Sequence, residues 1–253
     1  MWSEVVEKIG RLRGVDKQYQ AFGAGTHRYE IRPQCAERQL AGVEARLGVR
    51  LPDDLRSFYA TVGNGIVGPN YGLCPAEKVT GHRPADPYPG VAALRQAAID
   101  AGGSVDNPPG YFEAPRDALA GLVAVIDVGC GHQVCLATNG PCVGQVVYVS
   151  GPGQVTEPGV GLVQLYHQWL DRELLLFAEV RRLMTTAATL DQVCNEMATM
   201  HRDYHAGERI VSIANVPKPA NLFGGGGVAI HHGATQFPWY EGVLDNWRRQ
   251  HPG

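Results

Sequence analysis

The chain has 253 residues, 44% of them hydrophobic, and carries 22 Lys and Arg against 25 Asp and Glu for a formal net charge of −3. That length and composition permit a sizeable core, and no stretch approaches the ~18 uninterrupted apolar residues of a membrane span. From Ile99 to Val180 nine acids stand against two arginines, a local balance of −7 that leaves the remainder at +4. An acidic midsection argues against nucleic acid as the main ligand, because phosphate contacts need Lys and Arg, and is compatible with a basic protein partner.

Along the chain, Trp2 to Leu12 is predicted to form an amphipathic helix with Trp2, Val5, Val6, Ile9 and Leu12 on one face. The same stretch, MWSEVVEKIGRLRG, carries acids and lacks the apolar run of a signal peptide, so a cytoplasmic protein is expected. RGVDKQYQAFGAGTH has no sustained period and reads as a linker or loop. Leu40, Val43 and Leu47 recur at helical spacing over Ala36 to Leu47, and Gly48 ends the run.

The stretch LPDDLRSFYATVGNG is predicted to open a helix at Pro52, whose missing N–H costs nothing there. Asp53 and Asp54 lie at the positive end of its dipole, and Leu55, Phe58, Tyr59 and Val62 form the buried face. Gly63 is expected to close it in the left-handed conformation, with Asn64 and Gly65 continuing the turn.

GHRPADPYPG and DNPPGYF flank a short predicted helix over Val91 to Ala101. Three strands are expected at 121–127, 133–138 and 143–149. The short connections between them, Gly129 to Gly131 and Asn139 to Pro141, imply an antiparallel meander. Helices are predicted over Leu162 to Leu183 and Leu190 to Tyr204, the first turning Leu162, Leu165, Tyr166, Trp169, Leu170 and Phe177 towards the sheet. A four-glycine run with Phe223, Phe237, Trp239 and Tyr240 follows, and those aromatics point to a docked tail.

Most of the familiar catalytic patterns are missing from the sequence. The Gly-x-Gly pairs Gly23/Gly25, Gly129/Gly131 and Gly151/Gly153 lack the third glycine of a dinucleotide loop, and neither a Gly-x-x-x-x-Gly-Lys phosphate loop nor a Gly-x-Ser-x-Gly elbow occurs. His201 and His205 would share one helical face and form the basis of a metal-enzyme reading. Arg202 stands where a metalloprotease carries its glutamate, so a solvated helix end is preferred. His231 and His232 are adjacent and would diverge in an extended chain. Asp127, Cys130 and His132 combine acid, nucleophile and base, yet fill a single turn, which favours a structural role with Asp127 bonding local amides. Cys35, Cys74, Cys130, Cys135, Cys142 and Cys194 match no zinc spacing and are expected as reduced thiols. Neither cofactor nor metal is expected, and the chain is not expected to be an enzyme.

LPDDLRSFYATVGNG and the following YGLCP resemble the first signature of the SUKH superfamily. IDVGCGHQVCLATNGPCVGQVVYV resembles its strand–turn–strand–turn–strand, and GLVQLYHQWLDRELL is similar to the helix that closes the family's sheet. The resemblance covers about residues 27 to 183, leaving an N-terminal helix and linker over 1–26 and a C-terminal extension over 184–253. It implies an α+β fold, a largely antiparallel sheet packed against helices. It also implies an immunity protein that binds the C-terminal domain of a cognate secreted bacterial toxin, one to one, and occludes its active site. Nucleases and nucleic-acid deaminases are the toxins expected. The alternative is an intracellular regulatory scaffold of the same superfamily.

On that reading Leu51, Pro52, Leu55, Phe58, Gly63, Asn64, Gly65, Gly129, Gly131, Gly140, Pro141 and Gly144 serve folding. The expected toxin contacts are Asp86 and Tyr88 in the proline loop, Asp106, Tyr111, Phe112 and Glu113 in the next loop, and Trp239 and Tyr240 in the tail.

Overall fold

The computed structural model describes residues 2–100, 119–149 and 155–186, with 192 and 249. Its centre is a five-stranded antiparallel sheet with strands in chain order: β1 (Thr80–His82), β2 (Leu122–Gly129), β3 (His132–Ala137), β4 (Val146–Val149) and β5 (Val155–Thr156). The expected meander is its middle, with Ala124 opposite Cys135 and Leu136 opposite Val146. A register shift between Ala124 and Ile126 turns both Val125 and Ile126 into the same core, as a bulge does by adding a residue to one strand.

Helices α1 (Trp2–Val15), α3 (Glu37–Leu47), α4 (Asp53–Ser57) and α6 (Leu162–Thr186) gather over one face of the sheet. Trp2 lies edge-on to Phe58 at 5.0 Å and to Tyr166 at 5.6 Å, the offset geometry that ring quadrupoles favour. The polar atoms of these residues are matched too: Trp2 Nε1 donates to Ser57 Oγ at 2.8 Å and Tyr166 Oη to the Val67 carbonyl at 2.7 Å. On the other face, α5 (Val91–Asp100) brings Leu94 into a smaller core with Tyr88, Leu122, Cys135, Ala137, Val147, Val149 and Val155. All four β4 residues are buried because both faces are covered.

Several expectations are corrected. The stretch from Arg13 to His27 is no free linker. Asp16 is buried and accepts Tyr29 Oη at 2.6 Å, Gln20 N at 2.7 Å and Ala21 N at 3.0 Å. Those three donors satisfy a carboxylate that would otherwise be costly to bury. They are followed by a short helix, α2 (Ala24–His27). Val6 is exposed, so the buried face of α1 is Trp2, Val5, Ile9 and Leu12. The helix opening at Pro52 passes after Ser57 into a π-helical turn, Phe58–Val62.

Gly63 is extended, with φ 168°, not left-handed. Its requirement is space: a Cβ there would collide with the Arg32 carbonyl. The left-handed residues are Gly65, at φ 71°, and Ile66, at φ 62°. The helix predicted over Leu190 to Tyr204, the histidines at 201, 205, 231 and 232, Cys194 and the aromatics of the tail lie outside the described residues.

Candidate functional site

The segment after the π-helical turn is bound almost wholly to its own chain. Asn64 accepts the Ala76 amide at 2.8 Å, donates from Nδ2 to Glu77 Oε2 at 3.0 Å, and gives its own amide to the Pro33 carbonyl at 3.0 Å. The hydrogen bond from Asn64 holds the Glu77 carboxyl below its ordinary value. Arg46 donates to the Glu77 and Val79 carbonyls. Arg46, Asn64, Ala76 and Glu77, with Cys35, Gln39 and Val43, line a shallow groove of about 420 Å³. Their polar groups are already engaged, so the groove has little left to offer a ligand.

The two ends of the sheet differ. At the end where β2 begins, the loop from Arg83 to Gly90 is tied across the β3–β4 turn. Thr138 Oγ1 donates to the Pro84 carbonyl at 2.6 Å, Asn139 Nδ2 to the Ala85 carbonyl at 2.9 Å, and the Tyr88 amide to the Asn139 carbonyl at 3.0 Å. Gly121 and Gly140, both at positive φ, let the backbones approach this closely. At the opposite end, where β2 turns into β3, the rings of Phe22 and Tyr71 lie 5.4 Å apart and are 43% and 38% exposed. The Tyr71 amide donates to the Asp127 carbonyl at 3.2 Å. Its ring lies over Gly129, 2.9 Å from where a Cβ would stand.

The model of the SMI1 / KNR4 family (SUKH-1) matches residues 34–164, just over half of the chain. The chain belongs to this family. No curated protein and no solved structure matches it. The matched span holds both sequence signatures, and this SUKH protein spends their residues on its own architecture. Leu51, Leu55 and Phe58 are buried, Pro52 caps α4, and Asn64 joins two segments. Gly129, Gly131, Gly140 and Gly144 adopt positive φ, and Pro141 sits in the β3–β4 turn.

Two of the expected contacts, Asp86 and Tyr88, lie among the described residues. Asp86 is half exposed and paired with Arg83 at 3.1 Å. Tyr88 is fully buried in the smaller core, so its ring has no area to give a partner, and the expectation of a contact there is corrected. An aromatic among prolines looks exposed in sequence, whereas this ring anchors the loop instead. Asp106, Tyr111, Phe112, Glu113, Trp239 and Tyr240 lie outside the described residues.

The described acids of the midsection are also largely committed. Asp171 holds Lys8 at 2.7 Å, Glu179 holds Arg182 at 2.9 Å, and Glu157 accepts the Val91 amide at 2.8 Å. Asp127 accepts the Gly129 amide at 2.8 Å, the local turn expected of it. Glu173 is buried and lies 4.0 Å from Arg172. The sequence charge therefore overstates what these acids present to a partner.

Burial raises the thiol of Cys74 to about 11 and that of Cys135 to about 12, which keeps both protonated and poor nucleophiles at neutral pH. Among the described residues no group of three His, Cys, Asp or Glu is placed to hold a metal, and no helix is long and apolar enough to cross a membrane. What the sequence did not single out is the pair Phe22 and Tyr71. Its signal was an aromatic followed directly by glycine, in AFG and NYG.

Proposed function

We propose that this SUKH protein is an immunity protein, binding the C-terminal domain of a cognate bacterial toxin in the cytoplasm and covering its active site. The observation that carries the reading is the family match over 34–164, a family that includes toxin-immunity proteins. The internal use of the signature residues supports it, since it leaves recognition to surfaces around a fixed frame. Inhibition by occlusion needs no catalytic group from the inhibitor. A one-to-one interface of standard size, about 1,200–2,000 Å² in total, suffices when a few buried anchors supply most of the affinity. Expected targets are toxins that process nucleic acid.

The test is growth. Cells expressing the C-terminal domain of the polymorphic toxin encoded beside this gene are expected to die alone and to survive when this protein is co-expressed. Death in both cases, with the protein folded and present, would refute the proposal.

A further inference from the structure

Exposed aromatics are common singly, but Phe22 and Tyr71 form a pair held from beneath. Phe22 precedes Gly23, which has φ 78° and sits so close to the Asn70 carbonyl that no Cβ fits between them. Tyr71 is followed by Gly72, at φ 89° and equally tight on the Ile66 carbonyl. The backbone under both rings is therefore fixed by contacts that only glycine permits. Rings ordered in advance lose little conformational entropy on binding, which is what an interface anchor requires.

The surroundings indicate what the rings fit. Arg28 is exposed on the adjoining segment: it follows His27, whose Cβ lies 3.4 Å from the Cβ position of Gly72. Its guanidinium lies 6.0 Å from the Tyr19 ring, and it has no carboxylate partner among the described residues. Lys17 is likewise exposed on the same segment. The exposed carboxylates nearby are Glu30, on the same segment, and Asp127, which turns one oxygen back to the Gly129 amide. An apolar centre with cations beside it complements an apolar side chain flanked by carboxylates. A second copy fits poorly, because a two-fold contact through this patch would bring the same cations together.

We infer that the end of the sheet carrying Phe22 and Tyr71, and not the proline-loop end, is the anchor of the toxin interface, and that it receives an apolar side chain bordered by acids on the toxin domain. This rests on the proposed immunity role. The test is calorimetric titration of a catalytically inactive toxin domain into the full chain. Phe22→Ser combined with Tyr71→Ser is expected to weaken binding by about 30-fold or more, the scale of an anchor pair. Arg28→Glu, an exposed change that leaves the rings in place, is expected to weaken it roughly 5- to 10-fold, less at high salt. Asp86→Ala is expected to stay within about 2-fold.

If the wild type binds and the double variant, folded by its circular dichroism, binds within about 3-fold of it, this inference is wrong while the immunity reading stands. Failure of the wild type itself to bind refutes the immunity reading. A wild-type dimer in sedimentation that the double variant abolishes, with toxin affinity unchanged, would assign the patch to a second copy and overturn the inference.

Discussion

The two ends of the sheet put glycine to different uses. At the proline-loop end, a Cβ on Gly121 would strike backbone, the Tyr88 amide and the Asp86 carbonyl at 2.5 Å. At the other end, a Cβ on Gly129 would meet only a side chain, the Tyr71 ring at 2.9 Å. One end is closed on itself, its aromatic Tyr88 buried and its carbonyls and amides bonded across the turn. The other holds its aromatics outward. Similar turn chemistry thus gives a sealed corner in one place and a presented surface in the other.

Substitutions can break this contrast. Gly121→Ala should be the most damaging, because it combines positive φ with a backbone collision. A loss of about 3 kcal/mol or more is expected in denaturant unfolding. If the loss were under about 1 kcal/mol, the proline loop would not be clamped as described.

Acid should act next, through His27 beside the aromatic end. Its Nδ1 accepts the Tyr29 amide at 3.1 Å, and burial lowers its pKa to about 4, partly countered by the charge of Asp16. A histidine depressed in the folded state binds its proton more readily when unfolded. Its contribution is therefore complete above the unfolded value near 6.5 and is lost as pH falls towards about 4. That loss amounts to about 3 kcal/mol across the window. His27→Gln should flatten the stability profile between those limits, and a variant with the wild-type slope would remove His27 from the account.

Gly129→Ala is expected to cost about 1–2 kcal/mol, for backbone strain alone, since the Tyr71 ring can swing aside. Because that swing spoils the presented pair, toxin affinity should fall more than stability does. Equal losses would mean that the pair is not the anchor. The smallest effect is expected on the helices, where Lys8 links Glu4 at 3.0 Å to Asp171 at 2.7 Å between α1 and α6. Lys8→Ala should cost about 1 kcal/mol or less, and less still in high salt.

Much of the frame was legible in the sequence. The periodicity of Leu40, Val43 and Leu47 marks α3, and Gly48 stops it at φ 70° with its amide bonded to the Glu44 carbonyl. The meander was readable because each of its strands is long enough to carry an apolar pattern. Strands β1 and β5 were not, having three and two residues. The segment from Arg13 to His27 was misread because what buries it is polar: Asp16 and His27 are held by hydrogen bonds that leave no hydrophobic period. The candidate surface was the least legible. Phe22 and Tyr71 lie in separate glycine-rich loops, and the packing of Gly23 on Asn70 and of His27 against Gly72 brings them together. Charge misled for a related reason, since acids such as Glu157 and Asp171 are counted in a sum but are spent within the fold.

Amide hydrogen exchange of this protein, free and saturated with the toxin domain, tests the account most directly because it reads both ends at once. New protection over 19–23, 70–72 and 128–132, with 83–90 and 138–142 unchanged, is the predicted result. Protection confined to the proline-loop end would contradict it.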